Sequence, residues 1–268
     1  MVENLLKYWG IDVSKPIGLI FDIDELLFDN QQDIFDAYRS LLAARQIGME
    51  AAETFPGKDL FEIIGRLKEK YLIEDSIDDL VQERRTNYLN ILNQTKSRTK
   101  TGVKEVFNFL AQHKDRMGLR VAYATSSERA FTNLILKRIF ELSDLNSHMA
   151  NPDRFFYVNA EGEYAGTCWA AGMKKKPAPD VYLETVRKLK IPPGQCLAFE
   201  DSKSGYEAAK SCGINVFVVP SPWSEEYFSQ FPYGEASASV CKLNTLNDVI
   251  PILKALNVKL ENLQSLAE

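Results

Sequence analysis

The stretch Gly18-Leu-Ile-Phe-Asp22-Ile-Asp24 is an apolar run that ends in two acidic residues. The residues from Pro16 to Ile23 show little polar alternation, which predicts a strand buried on both faces, as in a parallel sheet covered by helices. Ligands of such sheets bind beyond the carboxyl ends of the strands, where Asp22 and Asp24 would lie. Crowded carboxylates repel each other, so the pair indicates a divalent cation with oxygen ligands; a solvated acidic turn is the alternative.

A second apolar strand is predicted over Leu119-Arg-Val-Ala-Tyr-Ala124, and it runs directly into Thr125, Ser126 and Ser127. Hydroxyl groups and backbone amides at a strand end can hold a phosphoryl oxygen. The same residue types are preferred at helix N-termini, so they also predict a helix cap. The two roles are compatible.

A lysine stands just before a predicted helix in the segment Lys176-Pro-Ala-Pro-Asp180. The prolines and the apolar spacing that follows them are typical of a helix start. The Lys176 ammonium can neutralise negative charge on a bound anion. Lys174 and Lys175 adjoin it, so a solvated basic loop is the alternative.

A third apolar strand, Cys196-Leu-Ala-Phe199, ends in Glu200, Asp201 and Ser202. Three strand ends and one loop before a helix therefore carry two acidic pairs, hydroxyl groups and a lysine. Metal-assisted phosphoryl transfer through a carboxylate nucleophile requires this set of groups. Together the motifs are far more specific than any one of them.

In these motifs and their order, the chain resembles the haloacid dehalogenase-like hydrolases of the helical-cap type, which include sugar-phosphate phosphatases and β-phosphoglucomutase. The motifs are Phe21-Asp-Ile-Asp-Glu-Leu-Leu-Phe-Asp29, Ala124-Thr-Ser-Ser127, Lys176-Pro-Ala-Pro-Asp180 and Phe199-Glu-Asp-Ser-Lys-Ser-Gly205. The resemblance implies an α/β fold, with a Rossmann-like core whose mainly parallel sheet is flanked by helices, and an inserted all-helical cap. It also implies a Mg²⁺-dependent phosphatase that acts on a small phosphorylated metabolite, a sugar or nucleoside monophosphate, through an aspartyl-phosphate intermediate.

The resemblance further implies a role for each motif residue. Asp22 would be the nucleophile, while Asp24 would protonate the leaving oxygen and then deprotonate the hydrolytic water. Thr125, Ser126 and Lys176 would bind the phosphoryl group. The implied magnesium ligands lie at strand ends: Asp22, the backbone carbonyl of Asp24, Asp201 and, as a further ligand or as a partner of a ligand, Glu200.

The segment between the first and second motifs contains helical patterns and no strand-like run. It predicts two domains, with residues 1–29 and 100–268 as the Rossmann-like core and residues 30–99 as the helical cap. Such a cap can exclude water from a site at the strand ends and select the substrate. Lys58 falls where related caps present a substrate-contacting loop, so it is the candidate cap residue; a solvated lysine at a helix start is the alternative.

Two local features of the predicted cap are helix ends. Gly48 follows a helical pattern and predicts a C-cap. Ser76 with Asp79 predicts a variant capping box at the start of a later helix.

Glu25 departs from the family pattern, since a glycine normally follows the second aspartate and eases a turn that needs unusual backbone angles. We expect Glu25 to adopt that turn at a strain on the order of 1–3 kcal/mol and to point outward. The alternative is that it adds charge near the substrate entrance and disfavours highly anionic substrates. A second departure is residues 155–166, which predict a β-hairpin that extends the core or forms a lid.

Two other functions use the same residues. A sugar phosphomutase would need a cap that retains the intermediate; β-phosphoglucomutase carries a histidine on the helix after the first motif, whereas this chain has Ile34 in that region. The histidines, His113 and His148, lie outside the predicted cap and are expected to be structural or solvated. A non-catalytic protein that binds phosphorylated ligands on an enzyme scaffold is the other alternative.

Composition bears on partners and location. The formal charge of −5 and the pI near 5.3 give no electrostatic basis for binding nucleic acid or an anionic membrane. The first ten residues predict neither a signal peptide nor a membrane-spanning helix. The cysteines show no CxxC spacing, which favours reduced thiols in a cytoplasmic protein. We expect a monomer or a weak homo-oligomer.

Overall fold

The computed structural model describes residues 2–49, 60–94, 98–142, 156–159, 173–234, 236–237 and 240–256. The chain divides into two compact units, Met1–Phe28 with Thr99–Glu268 and Asp29–Arg98. The sequence predicts the limits between core and cap after residues 29 and 99, and the roles of core and cap stay predictions.

The first unit is built on one sheet. Its strands, in chain order, are β1 (Ile17–Phe21), β2 (Leu119–Thr125), β3 (Phe156–Asn159), β4 (Cys196–Glu200), β5 (Asn215–Val218), β6 (Ala236–Ser237) and β7 (Val240–Lys242). Their spatial order is β3-β2-β1-β4-β5-β7-β6, and the described pairs are parallel except β6 with β7. The predicted α/β fold with a mainly parallel sheet is confirmed.

Helices follow most of the strands. In chain order they are α1 (Val2–Tyr8), α2 (Gln31–Ala43), α3 (Leu60–Tyr71), α4 (Ile77–Gln94), α5 (Val103–His113), α6 (Arg129–Leu142), α7 (Asp180–Leu189), α8 (Lys203–Ser211), α9 (Glu225–Phe228) and α10 (249–256). Short 3₁₀ helices cover Pro193–Gln195 and Leu246–Asp248. Within the described ranges, no helix is both long and apolar enough to cross a membrane.

Both faces of the central strands are buried, as the uninterrupted apolar runs predict. On one face the rings of Phe21, Phe199 and Phe217 stack in a row, with centroid distances of 4.5 and 5.3 Å. On the other face, Ile20 and Ala198 belong to an apolar cluster that includes residues of α7 and α8. Burial on both sides fixes the register, and with it the level at which each strand ends.

The register brings the chemically active strand ends together. β1 lies between β2 and β4, with Phe21 level with Tyr123 and Phe199. The N–H of Asp22 then donates to the carbonyl of Phe199 (3.0 Å). Because the three strands are parallel, Asp22 and Glu200 leave the same edge of the sheet.

The second unit contains α2, α3 and α4, whose apolar faces share one buried cluster. Helix α2 ends in a Schellman motif: the N–H of Ile47 donates to the carbonyl of Leu42 (3.0 Å) and that of Gln46 to Ala43 (2.9 Å). Gln46 takes the left-handed conformation, with φ of 58°. The prediction that Gly48 caps this helix is therefore wrong. Packing of Ile47 against the apolar cluster helps to hold the turn at Gln46 without glycine.

Two other predicted features have different outcomes. At the start of α4, the N–H of Asp79 donates to Ser76 Oγ (3.1 Å), as the capping prediction requires. Of the predicted hairpin, Phe156–Asn159 forms β3, which pairs in parallel with β2. The rest of the hairpin and His148 lie outside the described residues. His113 ends α5, and its ring lies 4.5 Å from that of Phe109.

Candidate active site

Lys176 joins three strand ends in the first unit. Its Nζ donates to Asp22 Oδ1 (2.6 Å), Glu200 Oε1 (2.7 Å) and the carbonyl of Ala124 (2.8 Å). These contacts use all three protons of the ammonium group. The Lys176 side chain is 5 % exposed, so it is not part of a solvated basic loop.

Three carboxylates, two of which contact this lysine, lie close enough together to share a cation. Oxygens of Asp22, Glu200 and Asp201 lie within 4.8 Å of one another. We call these residues, together with Lys176, the buried charge cluster. When all three carboxylates are ionised, one ammonium leaves two negative charges unbalanced, which is the charge of one divalent ion.

Glu200 offers a specific test of whether the cluster fits a metal. Its Oε2 is buried and has no hydrogen-bond partner among the described residues. A buried carboxylate oxygen of this kind is costly unless something binds it. A hard cation with oxygen ligands, such as Mg²⁺, suits the site, because the available donors are carboxylates.

Three members of the cluster, Asp22, Asp201 and Lys176, have pKa values that depart from their usual ranges. Burial raises the pKa of Asp22 well above its ordinary value, although the charge of Lys176 lowers it in part. Burial and the charge of Glu200 raise the pKa of Asp201 to about 8. For Lys176, burial lowers the pKa, but Asp22 and Glu200 raise it further, so the net shift is upward. The lysine is therefore charged, whereas burial disfavours the ionised forms of Asp22 and Asp201, which a further cation would favour.

Asp24 contacts hydroxyl groups at the carboxyl end of β2. Its Oδ2 accepts hydrogen bonds from Ser127 Oγ (2.5 Å) and Thr125 Oγ1 (3.2 Å). Thr125 Oγ1 in turn accepts from the N–H of Ser127 (3.0 Å). Ser126 Oγ accepts from the N–H of Lys176 (3.2 Å). The three hydroxyl residues thus link Asp24 to the loop that carries the lysine; Ser127 was not selected as a site residue from the sequence.

Glu25 adopts the turn, but its side chain does not point outward. Its φ is 60°, and its N–H donates to the carbonyl of Phe28 (2.9 Å). The carboxylate side chain is 11 % exposed, and Oε2 accepts from Lys100 Nζ (2.9 Å). The expected outward orientation is wrong because a lysine distant in sequence pairs with this charge.

Two further residues shape the position of Glu200. Tyr182, in the first turn of α7, donates a hydrogen bond from its hydroxyl to Glu200 Oε1. Gly205, in α8, has no room for a side chain, since a Cβ there would lie 1.9 Å from Glu200 Oε2. Gly205 is at the end of a quoted motif, whereas a tyrosine in an amphipathic helix gives no signal of its polar partner.

The loop after β5 contacts Asp201, the second acidic residue at the end of β4. The carbonyl of Asp201 accepts hydrogen bonds from the N–H of Ser221 (3.2 Å) and from the hydroxyl of Ser224. A side-chain hydrogen bond from Ser221 also lowers the pKa of Asp201, against the larger effect of burial. Lys58, the candidate of the predicted cap, lies outside the described residues.

The chain is similar to known proteins of one family. Residues 18–213 match the family model of the haloacid dehalogenase-like hydrolases. The chain is 29% identical to the protein CbbY of Rhodobacter capsulatus over 215 residues, which cover 77% of this chain and 86% of that protein. It is 28% identical to the phosphorylated carbohydrates phosphatase of Thermotoga maritima over 205 residues, 74% of this chain and 82% of that one.

A solved structure shares the fold. The crystal structure of CbbY from Rhodobacter sphaeroides in complex with xylulose-(1,5)bisphosphate superposes with a TM-score of 0.63. The match covers 87% of this chain and 96% of that chain, at 18% identity. At this identity the likeness concerns the fold alone.

Proposed function

Because this chain belongs to the haloacid dehalogenase-like hydrolases, we propose that it is a Mg²⁺-dependent phosphatase of a small phosphorylated metabolite. The observation that carries the proposal is the contact of Lys176 with both Asp22 and Glu200, beside Asp201. A lysine and a cation at one carboxylate would let an anionic phosphate monoester approach a negatively charged nucleophile.

In the first chemical step, an Asp22 carboxylate oxygen attacks phosphorus. The bond between phosphorus and the ester oxygen breaks, and Asp24 gives its proton to that leaving oxygen. The product is an aspartyl-phosphate on Asp22. The hydrogen bonds from Ser127 and Thr125 to Asp24 Oδ2 hold this carboxyl group, and Asp24 follows Asp22 by two residues.

In the second step, Asp24 accepts a proton from a water molecule as its oxygen attacks phosphorus. The bond to Asp22 breaks, and inorganic phosphate leaves. Lys176, Thr125 and Ser126 are the proposed contacts of the phosphoryl oxygens. Lys176 would exchange part of its contact with Asp22 for such an oxygen.

Asp22, Asp201 and the backbone carbonyl of Asp24 are the proposed ligands of Mg²⁺, with Glu200 as a further ligand or a partner of one. The bound ion would offset negative charge on the phosphoryl group and orient it toward Asp22. The excess of carboxylates over lysine and the partnerless Oε2 of Glu200, among the described residues, support this assignment.

A sugar phosphate is the preferred substrate class, with a nucleoside monophosphate second. One relative is named a phosphatase of phosphorylated carbohydrates, and a structural neighbour was crystallised with a sugar bisphosphate. We propose that residues 30–99, including Lys58, act as the cap that selects the substrate. The phosphomutase alternative is not favoured. A cytoplasmic location and a monomeric or weakly oligomeric state stay predictions.

The test is phosphate release from a panel of phosphorylated sugars and nucleosides, with Mg²⁺ or with a chelator. Wild type is compared with Asp22→Asn and with Asp12→Asn, which alters an exposed carboxylate. We expect Mg²⁺-dependent release that Asp22→Asn abolishes and Asp12→Asn retains. Interconversion of sugar phosphates without release would favour a mutase, and tight binding without turnover would favour a non-catalytic protein.

A further inference from the structure

Tyr182 contacts the buried charge cluster from the apolar face of the amphipathic helix α7. The residue is fully buried and is part of the apolar cluster beneath α7 and α8. Its hydroxyl donates to Glu200 Oε1, and its ring centroid lies 5.1 Å from Lys176 Nζ. One side chain therefore contacts both a carboxylate and the ammonium group of the proposed site.

The two carboxylate oxygens of Glu200 have different surroundings. Oε1 accepts from Tyr182 and from Lys176, whereas Oε2 has no partner among the described residues. The carboxylate rests where a side chain at position 205 would be, so only glycine fits there. The Tyr182 hydroxyl thus holds Oε1 of the Glu200 carboxylate, and the missing side chain of Gly205 leaves room for Oε2.

The phenol can only act in this way as a proton donor. The ordinary pKa of a phenol is about 10, so the Tyr182 hydroxyl carries its proton at neutral pH. Hydrogen bonds to a carboxylate are stronger than those between neutral groups, so this contact is effective in holding Glu200.

We propose that Tyr182 is a positioning residue whose hydroxyl holds Glu200 Oε1 and leaves Oε2 available to the bound cation, while its ring supports the ammonium of Lys176. The role of the cation rests on the proposed function. Tyr182 itself touches neither the substrate nor the reacting atoms in this scheme. Its effect should therefore appear first in the affinity for Mg²⁺.

The test is Mg²⁺ binding by calorimetry, without substrate, for wild type, Tyr182→Phe and Tyr206→Phe. Tyr206 is a matched control, because it is buried in the same apolar cluster and packs edge-to-face on Phe228. Partners of metal ligands typically contribute 10- to 100-fold to metal affinity, so we expect Tyr182→Phe to weaken Mg²⁺ binding about tenfold. Tyr206→Phe should bind Mg²⁺ as wild type does.

Kinetics and a double variant sharpen the test. For a substrate from the panel, Tyr182→Phe should lower kcat at subsaturating Mg²⁺ and leave KM near the wild-type value. In an Glu200→Gln background, Tyr182→Phe should have little further effect on Mg²⁺ affinity, since both changes act on one contact. Unchanged Mg²⁺ affinity in Tyr182→Phe, or a change in melting temperature alone, would overturn the proposal.

The same experiment separates this inference from the proposed function. A wild-type protein that binds Mg²⁺ but releases no phosphate from the panel would contradict the phosphatase proposal, and the Tyr182→Phe titration would still decide the positioning role. A wild-type protein that binds no Mg²⁺ would overturn the positioning role as well.

Discussion

The two units each contain a cation held between two carboxylates, and the two groups behave in opposite ways. In the second unit, Arg45 pairs with Glu83 (2.8 Å) and Asp75 (3.1 Å), and the three side chains are 20, 33 and 45 % exposed. In the first unit, Lys176 pairs with Asp22 and Glu200, whose side chains are 9 and 0 % exposed. We call Arg45, Asp75 and Glu83 the surface charge cluster.

The pKa directions show what the difference means. The hydrogen bond from Arg45 lowers the pKa of Asp75, so the pair stabilises the ionised form in contact with water. Burial raises the pKa of Asp22 in spite of Lys176. Each cluster has more carboxylates than its cation can balance, but water solvates the excess charge of the surface charge cluster, whereas the excess of the buried charge cluster is shielded from water. An incomplete buried set of charges is typical of a functional site.

The largest contrast is expected from replacing the positively charged residue of each cluster by methionine. Lys176→Met should lower kcat by about 10²- to 10³-fold, because one preorganised charge at the reacting group is lost. Arg45→Met should change kcat less than about twofold, since its contacts are confined to the second unit and to partly exposed partners. Phosphate release at saturating Mg²⁺ measures both. Equal losses in the two variants would refute the division between the clusters.

The next effect concerns the space that Glu200 occupies. Gly205→Ala should displace the Glu200 carboxylate, because the new Cβ would overlap Oε2, and should weaken Mg²⁺ affinity about 10- to 100-fold. The matched control is Gly65→Ala in α3, where a Cβ meets nothing within 4 Å. That change should stabilise the helix by roughly 0.5–1 kcal/mol. Calorimetric titration with Mg²⁺ and thermal melting measure the two outcomes; normal Mg²⁺ affinity in Gly205→Ala would contradict the packing argument.

A smaller effect is expected from pH in the metal-free protein. The raised pKa of Asp201 favours the folded state below the unfolded-state value, and this contribution is lost as pH rises through about 8. In the presence of a chelator, the melting temperature should therefore fall as the pH is raised from about 4 to about 8. Added Mg²⁺ should make this fall smaller. Asp201→Asn should flatten the dependence. A slope that neither Mg²⁺ nor the substitution alters would show that other groups control it.

The smallest effect is expected from salt. The surface charge cluster is partly exposed, so added salt should screen it and reduce the small difference in melting temperature between wild type and Arg45→Met. The buried charge cluster is shielded from mobile ions. The difference in melting temperature between wild type and Lys176→Met should therefore be the same at low and high salt. Melting curves at low and high salt make the comparison; equal salt sensitivity of the two variants would contradict it.

The strand ends were predictable because burial on both faces leaves a clear apolar run in the sequence. Asp22, Thr125 and Glu200 each follow such a run, and the parallel pairing then brings them to one edge. Lys176 was predictable as a residue before a helix start, although its three-way contact was not. These features depend on local sequence and on a rule that holds for all parallel sheets.

The remaining features depend on contacts between distant parts of the chain. The pairing of Glu25 with Lys100 joins residues that no local pattern connects, so the orientation of Glu25 was predicted wrongly. The hydroxyl of Tyr182 meets Glu200 only once α7 has packed on the sheet. The left-handed residue after α2 is Gln46 and not Gly48, because packing of the following Ile47 outweighs the local preference for glycine.

The central place of β1 also has a consequence for how the protein acquires its site. Its partner strands β2 and β4 begin about 100 and 180 residues later in the chain. During synthesis β1, which carries the proposed nucleophile, can therefore pair only after both neighbouring strands have been made. Closing such long loops costs entropy before any strand pairing compensates for it, so folding is expected to be slow. A nascent chain that ends before β4 carries Asp22 and Lys176 but lacks both Glu200 and Asp201, so catalytic competence should arise late and all at once.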